Sequence, residues 1–194
     1  MTKPKKTGIF RQFLKRPNDV GAIAPSSRQL AMAMVNQVDW ERAGTIVEYG
    51  PGTGAVTKHI LGRVDDQHDF FAVEINDEMV ATLAERFPAL QVYHDSATHI
   101  EAICQTHGVD GIDAVISGLP WTVFPVALQQ ELVDSMLGMM RPDGVFITYA
   151  YLHALRLKGA RRFRTLLEDS FASVSVSRPV WLNLPPAIVY SCRK

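Results

Sequence analysis

The chain of 194 residues is long enough for one domain with a full hydrophobic core, and its 47% hydrophobic and 21% charged residues are ordinary for a globular protein. No apolar stretch reaches the roughly 18–20 residues that cross a bilayer, and the basic start lacks the apolar segment of a secretory signal. Cys104 and Cys192 form neither a disulfide framework nor a metal-ligand motif. We therefore expect a cytoplasmic protein without a metal.

The formal net charge is zero, but cations and acids are separated along the chain. Residues 1–42 hold 8 Lys/Arg against 3 Asp/Glu, residues 43–140 hold 3 against 14, and residues 141–194 hold 9 against 3. If the two ends meet in space, they form a basic face suited to phosphate groups on lipid or nucleic acid. The alternative is scattered, solvated charge.

Residues 1–44 are predicted to form a helical extension. Residues 1–16 carry six Lys/Arg and no acid, and "GIFRQFLKR" places Ile9, Phe10, Phe13 and Leu14 on one helical stripe. An apolar stripe beside cations is typical of a helix that docks on an anionic membrane; the alternative is a helix that packs on its own domain. The following "APSSRQLAMAMV" predicts a second helix, with Ser26 and Gln29 spaced as a capping box.

Strands and helices alternate regularly from residue 45 to the end of the chain, which predicts one α/β domain over 45–194 with a mostly parallel, Rossmann-like sheet. Strands are predicted at 45–50, 69–75, 90–94, 112–119 and 145–151, and helices at 55–64, 77–87, 97–107, 125–140 and 157–170. "RPDG" (141–144) is predicted to be a turn, and residues 173–194 to form two final strands joined by a Pro-containing turn.

A glycine-rich loop follows the first predicted strand, with Glu48, Gly50, Gly52 and Gly54 spaced as E-x-G-x-G-x-G. Glycines at this place allow a tight turn and close approach of the backbone to a ligand. A dinucleotide site usually reads G-x-G-x-x-G, and a carboxylate before the loop would repel a pyrophosphate. Glu48 would instead attract an ammonium. This combination favours S-adenosylmethionine, which has an ammonium and a ribose but no phosphate.

Acidic residues also follow the next two strands. Glu74 ends the second strand, where a carboxylate can accept hydrogen bonds from both ribose hydroxyls. Asp95 follows the third strand, within "HDSA", and is placed to meet an adenine edge.

Together these motifs resemble the class I S-adenosylmethionine-dependent methyltransferases. The resemblance implies a seven-stranded, mostly parallel sheet whose last strand is antiparallel, with S-adenosylmethionine as methyl donor, S-adenosylhomocysteine as product and no metal. The loop would contact the methionine part, Glu74 the ribose, and 95–97 the adenine. The predicted cofactor-binding residues are Glu48, Gly50, Gly52, Gly54, Glu74, Ile75, Asp95, Ser96, Ala97, Ser117 and Gly118, with Ser26 and Ser27 added as a lid over the cofactor carboxylate or, alternatively, as a simple helix cap.

The segment "SGLPW" (117–121) bears on the methyl acceptor. Methyltransferases that act on adenine usually carry an asparagine where Gly118 stands, and its amide holds the exocyclic amine. The sequence is thus similar to the ribosomal RNA adenine dimethyltransferases but lacks this amide, which disfavours a nucleobase.

A closer resemblance covers nearly the whole chain. The segments "FLKRPNDVGAIAPSS" (13–27), "VEYGPGTGAVT" (47–57), "SGLPWTVFP" (117–125), "TYAY" (148–151) and "NLPPAIVY" (183–190) resemble the bacterial phospholipid N-methyltransferases. This resemblance implies stepwise methylation of phosphatidylethanolamine towards phosphatidylcholine, on an anionic membrane bound through residues 1–16. The expected protein is a peripheral membrane enzyme of the inner membrane face, taken to be a monomer.

Acceptor-side roles are predicted for two groups of side chains. Trp121, Tyr149 and Tyr151 would steady a methylated ammonium through their ring faces. Tyr149 and His153 are candidates for taking the proton from the amine; Tyr149 is assigned to positioning, and the base stays open. Arg161, Arg162 or Arg164 would bind the lipid phosphate. The alternatives left open are ordinary core packing for the aromatic residues, a solvated helix face for the arginines, an RNA or small-molecule amine as acceptor, and a membrane-binding module without turnover.

Overall fold

The computed structural model of the protein describes residues 26–194. The α-helices are α1 (Arg28–Val35), α2 (Thr57–Ile60), α3 (Asp77–Arg86), α4 (Ile100–His107), α5 (Val126–Met139) and α6 (Lys158–Ser170). The strands are β1 (Thr45–Tyr49), β2 (Asp69–Glu74), β3 (Gln91–His94), β4 (Ile112–Ser117), β5 (Met140–Tyr151), β6 (Ser173–Val176) and β7 (Ala187–Arg193). Short 3₁₀ turns occur at Ala97–His99, Trp121–Val123 and Leu152–Arg156.

The seven strands form one sheet in the order β3-β2-β1-β4-β5-β7-β6. β1 pairs in parallel with β2 and β4, whereas β7 is antiparallel to both of its neighbours, β5 and β6. The predicted seven-stranded sheet with an antiparallel last strand is therefore confirmed. The strand order reverses between β1 and β4, and in open α/β sheets this switch point, at the carboxyl ends of the strands, is where ligands bind.

Each face of the sheet carries its own hydrophobic core, because successive strand residues point to opposite faces. On one face, Leu30 and Met34 of α1 pack with Ile46 and Ile147. On the other, Val47 and Phe146, one residue away from them in the chain, pack with α4, α5 and α6. All five residues of β1 are buried, as expected for a central strand covered by helices on both faces.

Helix α1 lies in the segment assigned to the N-terminal extension, and its buried side chains belong to the core of the sheet. Its N-cap is Ser27, whose hydroxyl oxygen accepts a hydrogen bond from the Leu30 amide at 3.2 Å. The predicted capping box with Ser26 as cap is therefore wrong by one residue. The division of the chain at residue 44 stays a prediction.

Two predicted element boundaries differ from the structure. The helix predicted at 55–64 is reduced to α2, which follows a run of turns at 52–56. β5 begins at Met140 rather than at residue 145 and passes through the predicted "RPDG" turn as a bulge, in which Asp143 has a φ of 66°. The turn chemistry is present, but pairing of Met140 with Ile112 makes it part of a strand.

The predicted docking helix in residues 1–16 lies outside the described residues. Across residues 26–194, no helix is both long enough and apolar enough to cross a membrane.

Candidate functional site

A cleft of about 260 Å³ opens at the carboxyl ends of β1 and β4. It lies at the switch point of the sheet, and its volume is slightly below the range of about 300–1,000 Å³ that is usual for small-molecule sites. Its lining residues are Ser26, Glu48, Gly50, Pro51, Gly52, Thr53, Ala55, Val56, Met79, Gly118 and Tyr149. Six of these were predicted from the sequence, so the structure brings the start of α1, the glycine loop, the loop after β4 and the end of β5 to one place.

The floor of the cleft is formed by the loops that leave β1 and β4 in register. Tyr49 is opposite Ser117 in the sheet, and the Gly118 amide continues the ladder by donating to the Tyr49 carbonyl at 2.8 Å. A Cβ at Gly118 would lie 2.6 Å from the Gly50 carbonyl oxygen, and a Cβ at Gly50 would lie 2.6 Å from Leu119 Cδ2. Gly118 therefore requires glycine because of this backbone contact, and Gly50 because its φ of 65° strains any other residue; a side-chain amide at position 118 does not fit this backbone.

The other two loop glycines have different roles. Gly52 has a φ of 56°, and a Cβ there would meet nothing within 4 Å, so this part of the loop is an open cradle. Gly54 has a φ of 82°, and a Cβ there would lie 2.3 Å from Phe87 Cε2. Gly54 is thus needed for packing at the end of α3 and does not line the cleft.

Glu48 is a buried carboxylic acid at the cleft wall, 1% exposed. The Thr57 hydroxyl donates to its Oε2 at 2.7 Å. Burial raises the pKa of Glu48 to about 8, helped by the negative charge of Glu74 and opposed by the Thr57 hydrogen bond. The protonated form of Glu48 therefore predominates in the folded protein at pH 7.

Glu74 ties the glycine loop to the end of β2. Its Oε2 accepts from the Gly52 amide at 3.1 Å, and its Oε1 accepts from the amides of Ile75 and Asn76 at 2.8 and 2.9 Å. A carboxylate has about four acceptor positions, so one position on Oε2 is unfilled, although buried Glu74 lies behind the glycine loop and is not among the residues that line the cleft. Ile75 contributes its backbone amide to this arrangement.

The predicted adenine residues form a local turn after β3. Asp95 Oδ1 accepts from the Ser96 amide at 2.7 Å and lies 2.9 Å from His99 Nδ1. The Ser96 hydroxyl caps the 3₁₀ turn at Thr98, and Ala97 is buried in the core. These three residues do not line the cleft, and their contact with adenine stays a prediction.

Trp121 does not offer its ring to a substrate, and that prediction is wrong. Its side chain is 1% exposed, stacks on Phe163 with 5.3 Å between ring centroids, and packs edge-to-face on Phe146. The indole Nε1 donates to the Ser117 hydroxyl at 2.9 Å. The Ser117 side chain is itself fully buried and holds the loop after β4, so it is not available to a cofactor.

Tyr149 lines the cleft, whereas His153 does not. The Tyr149 ring packs edge-to-face on Tyr151 at 5.5 Å, and the exposed His153 ring stacks on the outer side of Tyr151 at 5.7 Å. Burial raises the pKa of Tyr151 well above its ordinary value of 10, with a further contribution from Tyr149. Tyr151 therefore stays protonated and separates His153 from the cleft.

The three arginines predicted to bind phosphate are exposed on α6 and do not line the cleft. Arg164 is paired with Glu168 at 2.8 Å, and Arg162 Nε donates weakly to the Lys158 carbonyl at 3.4 Å. Arg161 and Arg162 form no ion pair with any residue between 26 and 194.

Asn183 holds the segment at Ser26 and Ser27, through which the chain reaches the cleft, by a hydrogen bond. The Ser27 amide donates to Asn183 Oδ1 at 2.9 Å, and Asn183 Nδ2 donates to the Pro185 carbonyl at 2.7 Å. Asn183 is 3% exposed. This contact across 156 residues explains the asparagine in the "NLPPA" segment as a clamp that places Ser26 on the cleft wall.

Sequence reasoning did not assign the positioning residues Thr57 and Asn183, or the lining residues Thr53 and Met79. Thr57 and Asn183 do lie in segments that were singled out, "VEYGPGTGAVT" and "NLPPAIVY". Met79 gives no such signal, because an apolar residue in a helix is ordinarily part of the core.

Comparison with known proteins agrees with this geometry. Residues 46–144 match the model of the methyltransferase domain family. The chain is 32% identical over 185 residues to an ornithine lipid N-methyltransferase of Singulisphaera acidiphila, with 94% of this chain and 92% of that protein covered.

This chain is a class I S-adenosylmethionine-dependent methyltransferase.

Two more distant similarities agree with this family. The methyltransferase is 26% identical over 154 residues to a dimethyladenosine transferase of Yarrowia lipolytica, with 79% of this chain and 44% of that protein covered. An O-methyltransferase from Bacillus cereus in complex with SAH has the same fold, with a TM-score of 0.69 at 14% identity over 98% of this chain and 92% of that one. The predicted fold, enzymatic activity and methyl donor are confirmed by these matches, and the non-enzymatic alternative is set aside.

The residues of the cleft fit S-adenosylmethionine. The cradle at Gly52 is open, Glu48 is a buried acid without a cationic partner in the described residues, and Glu74 keeps an acceptor position toward the loop. The donor supplies a methyl group activated by a sulfonium, so the protein has to align it with an unprotonated acceptor. Between residues 26 and 194 no group of three or more His, Cys, Asp or Glu side chains is placed to hold a metal ion.

Ser26 and Ser27, which precede α1, allow the two proposed roles of this segment, a lid over the cofactor and a helix cap, to be tested one at a time. We expect Ser26→Ala to weaken S-adenosylmethionine binding about three- to tenfold without changing the melting temperature, because Ser26 lines the cleft and makes no cap. Ser27→Ala should lower stability by about 1 kcal/mol through loss of the cap. Titration calorimetry and thermal melts of both variants check this. Unchanged affinity in Ser26→Ala would remove the lid role.

Proposed function

We propose that this methyltransferase transfers methyl groups to the amine of a membrane lipid head group. The observation that carries the proposal is the similarity along almost the full length of the chain to an ornithine lipid N-methyltransferase. Phosphatidylethanolamine with its mono- and dimethyl derivatives, the acceptor favoured by sequence, and ornithine lipid are the two candidate substrates. Both offer an aliphatic amine on a lipid.

The loop after β4 supports an aliphatic amine over a nucleobase. Adenine-specific relatives hold the base with an amide at this point, and here Gly118 lies against the Gly50 carbonyl with no room for a side chain. With Trp121 turned into the core, no aromatic ring follows Gly118 into the cleft on which a base could stack. The RNA alternative thus lacks both of the groups that the loop after β4 would supply to a base, and Tyr149 is the aromatic ring that lines the cleft.

Roles for the cleft residues follow from their positions. Glu48 would pair with the cofactor ammonium, Glu74 would accept a ribose hydroxyl, and the amides of the glycine loop would face the methionine part. Tyr149 would position the acceptor amine beside the donor and, through its ring face, stabilise the cationic product by about 0.5–2 kcal/mol. The proton that the amine must shed before attack has no assigned acceptor.

The arginines of α6 would bind an anionic group of the lipid outside the cleft, on the helix that packs against the loop after β4. Gly159 of α6 touches the loop after β4, since a Cβ there would lie 2.3 Å from the Thr122 carbonyl. Arg161 and Arg162 follow within one helical turn, and both are exposed and free of described ion pairs. An anionic group on the lipid is a suitable partner for them.

The deciding experiment gives the purified full chain methyl-labelled S-adenosylmethionine and vesicles that contain an anionic lipid with either phosphatidylethanolamine or ornithine lipid. We expect label in the extracted lipid of one set of vesicles, and the number of methylated species shows how far the reaction proceeds. An RNA transcript and a water-soluble amine serve as parallel acceptors. Label found only in one of these two would overturn the lipid proposal.

A further inference from the structure

Three large apolar side chains project from the loop at 177–186, which joins β6 to β7. Trp181, Leu182 and Leu184 are 69%, 74% and 83% exposed. We call these three residues the apolar tip. Side chains of this size are ordinarily buried, and a cluster of them on a surface indicates an interaction site.

The apolar tip lies at the same edge of the sheet as the cleft. β7 starts opposite the end of β5, because Ala187 pairs with Tyr151, and the Leu152 amide donates to the Pro186 carbonyl at 2.9 Å. The loop at 177–186 therefore stands beside the loops that follow β4 and β5. Those two loops add further exposed apolar side chains, Val123 at 44% and Leu157 at 60%.

The tip is held outward by the structure rather than exposed by chance. Asn183, between Leu182 and Leu184, is buried and clamped to Ser27 and Pro185. The Asn183 amide also donates to the Val180 carbonyl, closing the turn. Because the clamp fixes the central residue inward, its two neighbours project away from the protein, and little ordering is needed when a partner covers them.

The charges around the tip define the partner. Residues 152–163 and 177–186 contain five Lys/Arg and no Asp/Glu, and residues 118–126 contain no charge. The five cations, Arg156, Lys158, Arg161, Arg162 and Arg178, are all exposed. At the other end of the same edge, by contrast, the exposed residues Asp77, Glu78 and Asp95 follow β2 and β3. Apolar side chains projecting from a ring of cations match the acyl boundary and anionic head groups of a membrane.

We propose that the apolar tip inserts into an anionic lipid surface and so places the cleft against the membrane, as a docking element separate from residues 1–16. This inference rests on the proposed lipid function. Trp181 serves as the anchor at the interface, where tryptophan is favoured because its ring is both apolar and polar. Leu182 and Leu184 enter the acyl region, and the surrounding cations contact the anionic head groups.

Trp181 provides a direct test, because the other two tryptophans are held by the protein. Trp121 is buried in the core, and the Trp40 indole packs against the core and donates to the Val35 carbonyl at 3.0 Å. With the full chain and vesicles of phosphatidylethanolamine and phosphatidylglycerol, we expect a blue shift of emission and quenching by lipids brominated on their acyl chains. Both signals should be lost in Trp181→Phe. The double variant Leu182→Ser with Leu184→Ser should bind these vesicles at least tenfold more weakly, while Met32→Ser, an exposed apolar residue of α1, should bind as the wild type.

Two results would overturn the proposal. One is vesicle binding with Trp181 emission unshifted and unquenched, or with the double variant unimpaired. The other is a Trp181 emission that is already blue-shifted in buffer, because residues 1–25 or a second copy of the chain then cover the tip. Sedimentation in buffer would detect a second copy of the chain on the tip, and a variant lacking residues 1–16 would show whether the N-terminal segment covers it.

The same samples separate this proposal from the proposed function. The double variant should still methylate a dispersed short-chain lipid at the wild-type rate, since none of its substitutions lines the cleft. Insertion of Trp181 without any labelled lipid, in these vesicles and in matched vesicles with ornithine lipid, would leave the docking surface standing and reject the lipid substrate. Labelled lipid with Trp181 still exposed to water would support the lipid substrate and reject the docking surface.

Discussion

Replacing Glu48 by glutamine is expected to make the protein more stable and to weaken S-adenosylmethionine binding. Burial holds the pKa of Glu48 near 8 in the folded protein, against an ordinary value of 4.5. Because the folded state retains this proton more tightly than the unfolded chain does, ionisation costs stability as the pH rises from about 4.5 to 8. Glutamine keeps the shape and can still accept the Thr57 hydrogen bond, but it does not ionise.

The gain in melting temperature of Glu48→Gln over the wild type should therefore be small at pH 5 and largest at pH 8 and above. Cofactor affinity should fall about ten- to hundredfold, the range for loss of a hydrogen bond to a charged group. Calorimetry in buffers of different ionisation enthalpy should show that the wild type releases a proton on binding at pH 7 and that the variant does not. Glu78→Gln, at an exposed acid of α3, is the matched control. A variant destabilised at pH 8, or one with wild-type affinity, would show that Glu48 is not a buried acid awaiting a cation.

The second large effect is expected for Gly118→Ala, which should displace the glycine loop that forms the floor of the cleft. The added Cβ would lie 2.6 Å from the Gly50 carbonyl oxygen, a backbone atom that cannot rotate away as a side chain would. Such overpacking costs about 1–3 kcal/mol, which lowers the melting temperature of a chain this long by roughly 2–12 °C. We expect kcat/KM to fall at least tenfold, because the glycine loop has to move.

Gly138→Ala is the matched control for this prediction. Gly138 lies on the exposed side of α5, and a Cβ there would meet nothing within 4 Å. Alanine at that position should stabilise the helix by roughly 0.5–1 kcal/mol and leave activity unchanged. Thermal melts and initial rates of the two variants make the comparison. Wild-type rates in Gly118→Ala would mean that the two loops are not interlocked during turnover.

Local patterns in the sequence predicted the fold and indicated candidate residues for the donor side of the site. The alternation of strands and helices predicted the sheet, and this prediction succeeded because hydrophobic periodicity acts over a few residues. Glu48, Gly50 and Gly52, singled out from the glycine loop, line the cleft at the ends of β1 and β4, because the topology of a parallel sheet brings strand ends together. Cofactor binding by these residues stays a prediction. Gly118 was singled out because adenine methyltransferases usually carry an asparagine there, and it lines the cleft.

The acceptor side depended on the tertiary structure. Trp121 and Ser117 belong to the same motif as Gly118, but both are buried. Trp121 stacks on Phe163, 42 residues away in the chain, and its indole donates a hydrogen bond to the Ser117 hydroxyl. Arg161 and Arg162 are exposed as a basic helix predicts, and the contact of Gly159 with Thr122 packs their helix against the loop after β4. Asn183 holds Ser27 from 156 residues away and turns Leu182 and Leu184 outward. Sequence spacing sets what neighbours on one element can do, whereas contacts between distant segments decide which side chains face the core, the cleft or the solvent.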